Sequence, residues 1–292
     1  MAIQSIDPLE YVAEASELLT AAWKPPCIRY TPEYLSWQFS HPTGLTPISL
    51  LGEDAFVSAT GRRFYFRGEQ KDIHVSSYFC VRPGANPMTA VSVIRQHARL
   101  FKEAGCPCVL FAQPESVGES MLKAWDAKGF VRKSLGTYTV HAGVSKSEPA
   151  QVVEFGEWLS AFESLAPDGT SALLLDPHHY RNDPRGCRPA IAYADGIPTA
   201  AALIGATESI TTTGIQVTPT LYCLHATSAT GIKALISAAG GMALVPNVRL
   251  IDPAIVKAAG LRLTPSRFNG YLFCLSTSDP LLQVDVVEIE PV

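Results

Sequence analysis

A six-residue element occurs twice in this chain. Pro42-Thr43-Gly44-Leu45-Thr46-Pro47 returns as Pro184-Arg185-Gly186-Cys187-Arg188-Pro189, with both prolines and the glycine in register. Each copy is followed by an apolar run (Ile48-Ser49-Leu50-Leu51; Ala190-Ile191-Ala192-Tyr193) and then an acidic turn (Glu53-Asp54; Asp195-Gly196). Farther on, each half has an apolar run ending at a proline, Val109 to Pro114 and Met242 to Pro246. A short helix then closes at Gly129-Phe130 or Gly260-Leu261. Ordered anchors at similar separations mark two homologous units, and a repeat on this scale governs the whole fold.

The length of 292 residues suits two modest domains, and 47% apolar with 17% charged residues describes a globular chain. A net charge of −4 gives no electrostatic footprint for nucleic acid. No stretch approaches the roughly 20 apolar residues of a spanning helix, and Ile3-Gln4-Ser5-Ile6-Asp7 lacks the pattern of a signal peptide. Seven cysteines without a CxxC pair read as thiols in a reducing cytosol, so the expected location is cytoplasmic. Cys106-Pro107-Cys108, the tightest spacing, lies in or beside an expected buried strand.

The first unit opens with Asp7-Pro8 and Glu10, an N-cap, a first-turn proline and a capping glutamate. Leu9, Val12, Leu19 and Trp23 continue at helical spacing until Lys24-Pro25-Pro26. Phe64-Tyr65-Phe66 and His74 to Val81 are strand-like. Met88 to Ala104 is an amphipathic helix with Gly105 at its C-cap. Strand 108–112, helix 117–128 and strand 131–140 complete the unit. The second unit gives strands 189–194, 198–206 and 220–226, a helix from Thr230 to Ala239, a helix starting at Asp252-Pro253, and a closing strand from Tyr271 to Leu275. Gly143 to Ala150 is polar and reads as the linker. The expectation is two tandem mixed α/β units, residues 1–144 and 151–292, packed as a pseudo-symmetric pair.

A strand ending apolar-Pro, a loop and a helix start resemble the acyl-CoA site of the GCN5-related acetyltransferase superfamily. There, backbone N–H groups at the helix start cradle the pyrophosphate, helped by the dipole. Cys80-Val81-Arg82-Pro83-Gly84-Ala85-Asn86-Pro87-Met88-Thr89-Ala90 occupies that place. Within the superfamily, Tyr30-Thr31-Pro32-Glu33-Tyr34-Leu35-Ser36-Trp37 and Ser77-Tyr78-Phe79-Cys80-Val81 resemble the peptide N-myristoyltransferases. So do Tyr222-Cys223-Leu224-His225-Ala226-Thr227-Ser228 and Asn269-Gly270-Tyr271-Leu272-Phe273. Those enzymes are tandem acetyltransferase-like folds, and the resemblance runs in order from residue 30 to 292.

The resemblance implies an N-acyltransferase moving an acyl group, a fatty one, from a CoA or carrier-protein thioester to a small-molecule or peptide amine. Acyl-CoA, or an acyl carrier protein thioester, is the implied co-substrate, with no permanently bound cofactor, no metal and no nucleic acid. The backbone amides of Tyr78 and Phe79 match the oxyanion hole. The carboxylate of Val292 matches the terminal base that deprotonates the attacking amine. Val81, Arg82, Asn86, Met88, Thr89 and Ala90 fall on the cofactor loop, and Ser77, Phe111, His225 and Tyr271 on the acceptor side.

Several positions depart from the family. Asn86-Pro87-Met88-Thr89 replaces a loop rich in glycine and basic residues, and no basic residue stands between Arg82 and Arg95. Pro87 removes one donor. Ser77 stands for an asparagine and Phe111 for a threonine. The tyrosine acid of the superfamily is matched by Trp125 and Val256, neither of which can protonate a thiolate. A binding module without catalysis, or other thioester chemistry on the same scaffold, stands as the alternative. His178-His179 reads as a surface turn rather than a metal pair, and Cys80 as a buried thiol rather than a nucleophile.

Overall fold

The protein was analysed as a computed structural model. It describes residues 3–40, 43–114, 116–166 and 171–288, and for Ser77 and residues 117–121 the backbone alone. In chain order the first half contains β1 (Gln4–Ile6), α1 (Val12–Ala22), β2 (Cys27–Ile28), α2 (Pro32–Phe39), β3 (Ile48–Leu51), β4 (Ala55–Phe66), β5 (Glu69–Val81), α3 (Pro87–Ala104), β6 (Cys108–Ala112), α4 (Val117–Asp126) and β7 (Val131–Val144). The second contains β8 (Gln151–Val152), α5 (Phe155–Ser164), β9 (Ala172–Leu175), β10 (Arg188–Ala194), β11 (Ile197–Thr211), β12 (Gly214–Ala226), α6 (Ala229–Ala238), β13 (Met242–Val245), α7 (Pro253–Ala258), β14 (Arg262–Cys274) and β15 (Val286–Val287). From β3 to β7 and from β10 to β14 the two halves therefore repeat one order: three strands, helix, strand, helix, strand. Pro42, the first residue of the doubled element, lies outside the described residues.

Local chemistry explains most boundaries. Asn86 and Asp252 accept the N–H two residues on, each followed by a first-turn proline, and Gly105 ends α3 in the left-handed conformation at φ 67°. Thr31 caps α2, also ahead of a first-turn proline, by accepting the Tyr34 N–H three residues on. The N-terminal segment departs from the single expected helix: Asp7-Pro8 caps a 3-10 turn over Pro8–Tyr11, and α1 begins after it.

The strands join one twisted sheet in the order β1-β3-β4-β5-β6-β14-β7-β13-β12-β11-β10-β8. The last strands of the two halves are exchanged. β14 enters between β6 and β7, with Tyr271 opposite Leu110 on one side and Ser134 on the other, while β7 pairs β13 through Leu244 and Ala142. The closing strand is thus far longer than residues 271–275, and residues 143–144 of the expected linker belong to β7. Gly270 is required at this crossing, because a Cβ there would sit 2.7 Å from the Tyr138 ring. One buried cluster spans both halves, with Phe64, Tyr138, Trp158, Leu203, Tyr222 and Leu272 among its members. A second fills the second half around Ile232 and Leu235, and a third the first half around Phe101 and Trp125.

Candidate functional site

β4 and β5 run in register up to Ser58 opposite Ser77 and regain register at Phe56 opposite Cys80. Tyr78 and Phe79 therefore oppose Val57 alone, a β-bulge that leaves its extra residue outside the ladder. Tyr78 takes the left-handed conformation, φ 63°, which costs a non-glycine residue roughly 1–3 kcal/mol. Its buried ring is held edge-on by Tyr30 at 5.7 Å and Phe39 at 5.5 Å, and this packing offsets the strain. On the other side β5 pairs β6 in parallel only through His74, Val75 and Ser76. Beyond Ser76 the strands part, and the bulge faces the wedge between them.

The wedge opens into a cleft of about 1900 Å³. Tyr78, Phe79, Cys80 and Val81 line it from β5, Ala90, Val91 and Ile94 from α3, and Leu110, Phe111 and Ala112 from β6. Arg185, Tyr222 and Phe268 close it from the second half, and Cys27 to Arg29 wall it where β2 pairs β11. Most of these side chains are apolar, and the volume exceeds the roughly 300–1,000 Å³ of common small-molecule sites. A long apolar ligand fits the space.

The start of α3 offers an anion little. Pro87 has no N–H, Met88 donates its N–H to the Asn86 side chain at 2.9 Å, and Thr89 donates to the Asn86 carbonyl at 2.8 Å. The cations come from elsewhere: Arg95, Lys123 and Lys128 reach the cleft from α3, from α4 and from just beyond α4. Sequence reasoning missed them because it searched the loop alone. Their signal was present in Arg95, which follows Val91 by one helical turn on the cleft face.

The second half holds the same wedge. Ala201 opposes His225 and Leu203 opposes Tyr222, so Cys223 and Leu224 face Ala202 alone, and Cys223 has φ 47°. Thr220 opposite Leu244 is the parallel pair that matches Val75 opposite Val109. Here, however, the chain fills its own notch and leaves a space of about 20 Å³. The Val287 N–H donates to the Tyr138 hydroxyl at 2.9 Å, and Asn247 Nδ2 donates to the Val287 carbonyl at 3.2 Å. Glu288 Oε1 lies 2.7 Å from Nε2 of buried His225. Burial pulls the His225 pKa down, but the Glu288 charge and hydrogen bond and the Phe162 carbonyl outweigh it and leave the ring above its ordinary value.

No protein-family model matches the chain, and no curated protein is similar to it in sequence. Solved structures are. N-myristoyltransferase of Saccharomyces cerevisiae with bound myristoyl-CoA superposes with a TM-score of 0.64 over 93% of this chain and 82% of that one, at 12% identity. The chain has the N-myristoyltransferase fold. A GCN5-related N-acetyltransferase from Anabaena variabilis follows at TM-score 0.55 and 10% identity, covering 94% and 73% of the two chains. A probable N-acyltransferase from Enterococcus faecalis gives 0.53 at 13% identity, covering 92% and 72%. Two tandem acetyltransferase-like halves are the architecture common to the sequence reading and this match. Among the described residues no helix is long and apolar enough to cross a membrane.

The expected site residues fall in distinct places. Tyr78, Phe79, Val81, Ala90 and Phe111 line the cleft together. Phe111 is braced edge-on by Tyr138 at 4.9 Å. Arg82 sits at the rim, 3.6 Å from Asp54 and 3.7 Å from Glu17, while Met88 is exposed and Asn86 and Thr89 belong to the helix start. Ser77 contributes described backbone opposite Ser58. Tyr271 lies behind the cleft under Arg132, and His225 belongs to the filled notch. Val292 lies outside the described residues. Burial pushes the Cys80 thiol up to about 12, which leaves it an inert packing group. Trp125 is sealed among Phe101, Phe130 and Phe273. His179 stacks on Trp37 at 4.3 Å, and His178 packs on Phe155 at 5.5 Å.

Proposed function

We propose that the protein is an N-acyltransferase that transfers a long-chain acyl group from acyl-CoA to an amine. The observation that carries this reading is the Tyr78–Phe79 bulge facing an apolar cleft of about 1900 Å³. Placed against the bulge, a thioester carbonyl oxygen meets backbone amides where negative charge develops during attack. The amine nitrogen bonds to the carbonyl carbon, the carbon–sulfur bond breaks, and amide and free thiol result. The thiolate takes up one proton and the amine gives one up. Glu33 and Glu208 are the carboxylates of the described cleft lining suited to accept it. Arg95, Lys123 and Lys128 are the proposed partners of the CoA phosphates. Residues 1–144 would serve the acyl side and 151–292 the acceptor side.

Thiol release from acyl-CoA donors of two to sixteen carbons, with a panel of amines, tests the reading. Turnover rising with chain length is the expected result, and no thiol release from any donor overturns it. The occupied donors at the start of α3 favour one second reading, a binding protein without catalysis. Calorimetric titration with CoA separates the two, because such a protein would not bind it.

A further inference from the structure

Phe111 stands where the cleft wall has least support. β6 pairs β5 only through Cys108, Val109 and Leu110, so Phe111 and Ala112 lie past the last pair and border the open wedge. The position of Phe111 is therefore set from behind, where its ring meets Tyr138 edge-on at 4.9 Å. Tyr138 is fully buried and closely held. Gly270 of β14 lies against it so closely that a Cβ there would come within 2.7 Å of the ring. The Arg249 guanidinium lies over the ring, 4.8 Å from its centre, and donates to the Leu135 carbonyl. The Tyr138 hydroxyl accepts the Val287 N–H at 2.9 Å.

That last bond ties the wall of the open cleft to the filled notch. Asn247 donates to the Val287 carbonyl, and the Leu173 carbonyl of β9 accepts the Glu288 N–H at 2.7 Å. The Glu288 side chain ends at His225, where both ring nitrogens face acceptors. Nδ1 lies 3.1 Å from the Phe162 carbonyl and Nε2 lies 2.7 Å from Glu288 Oε1. A carbonyl and a carboxylate only accept, so both nitrogens carry hydrogen and the ring is an imidazolium. A neutral ring that kept its bond to Phe162 would turn a lone pair toward the carboxylate. Tyr180, Tyr222 and Cys223 complete the titratable groups of the described notch lining, and of these residue types histidine alone titrates near neutral pH.

We propose that Tyr138 is a positioning residue for the acyl site: anchored by Val287 and, through Glu288, by His225, it holds Phe111 in place on the cleft wall, so the filled notch of the second half sets the shape of the open cleft in the first. The proposal rests on the acyl-CoA reading of the cleft and adds a coupling to it. Because the anchor needs both protons on His225, it is complete below pH ~6.5 and is lost as pH rises through the raised value of that ring.

The test is calorimetric titration of palmitoyl-CoA between pH 6 and pH 9, with two variants beside the wild type. Tyr138→Phe keeps the ring and removes the anchoring hydroxyl, while Glu288→Gln keeps the side-chain length and removes the charge. At pH 6 each is expected to loosen palmitoyl-CoA about fivefold, the size of one net hydrogen bond. The double variant is expected to be no looser than either single one, because both changes cut the same path. Toward pH 9 the wild type is expected to converge on the variants, a profile that a residue supporting the fold alone would not produce. A wild type that keeps its lead at pH 9, unchanged affinity in Tyr138→Phe, or losses that add in the double variant overturns the positioning role alone. Wild-type protein that binds palmitoyl-CoA at no pH overturns the acyl-CoA reading and the proposal with it. Should Glu288→Gln fail to fold, Tyr138→Phe and the wild-type pH profile still decide.

Discussion

In the first half, Tyr78 and Phe79 oppose Val57 and the wedge past Ser76 is open. In the second, Cys223 and Leu224 oppose Ala202 and the wedge is packed with Val287 and Glu288. The backbone device is the same, down to one left-handed residue in each bulge. What separates the halves is the occupant: a cleft of about 1900 Å³ against a space of about 20 Å³. A duplicated scaffold therefore need not carry a duplicated site, because one stretch of chain can close the second copy.

The most direct way to break the contrast is to close the open copy as well. Ala90 lines the cleft from α3 and is half-buried, so Ala90→Trp fills the acyl space without disturbing the core. Titration with palmitoyl-CoA is expected to show a loss of about 100-fold or more, roughly 3 kcal/mol, with an unchanged melting temperature. Retained affinity would place the acyl chain elsewhere.

The halves also respond oppositely to acid. Burial brings His97 down to about 4 and lowers His74 as well, so the first half folds around neutral imidazoles. Below pH ~6.5 the unfolded chain takes up protons that the folded chain refuses. Stability therefore falls between pH ~6.5 and 4, by about 3 kcal/mol for His97 alone. His225 behaves in the reverse sense. Its raised pKa makes the Glu288 contact fully stabilising below pH ~6.5, and the contribution fades as pH rises through the raised folded value. Hydrogen exchange at pH 5 is expected to open β3, β5 and α3 before β12 and β15. The opposite order would refute this account.

Removing the occupant's anchor gives a smaller effect. Glu288→Ala is expected to cost about 2 kcal/mol in urea unfolding at pH 6 and less at pH 8, since it strands a buried imidazole. A cost independent of pH would show that the pair is not charged. The mildest change sharpens the comparison at the helix starts. Asn86→Gly frees the Met88 N–H and is expected to cost a few tenths of a kcal/mol while tightening CoA about twofold. Ser228→Gly, at the matching start of α6, should change stability alone. Equal CoA affinity in both variants would remove the start of α3 from the phosphate site.

Much of this was legible in the sequence because it is local. The capping residues Asn86 and Asp252, Gly105 and the apolar-Pro strand ends each fix their own neighbourhood, and their order gave the tandem architecture. Two helices escaped. α2 and α5 are short and rich in aromatics (Tyr34, Trp37, Phe39; Phe155, Trp158, Phe162), residues of middling helix propensity whose helices are held by packing. The cations of the cleft come from α3, from α4 and from just beyond it, and of the three only Arg95 carries a local signal, its spacing from Val91. The filled notch escaped for want of any such signal: His225 looked like a residue awaiting a substrate, and its partner was Glu288.

The exchange of β7 and β14 has a consequence for how the protein is made. β6 emerges from the ribosome early, but its inner neighbour β14 begins at Arg262. At synthesis rates of about 5–20 residues per second, the edge of β6 waits roughly 8–30 s for its partner. During that time a buried-type strand, Cys108 to Ala112, presents an unpaired edge. Synthesis of β14, rather than completion of the first half, is then the event that lets either half reach its native state.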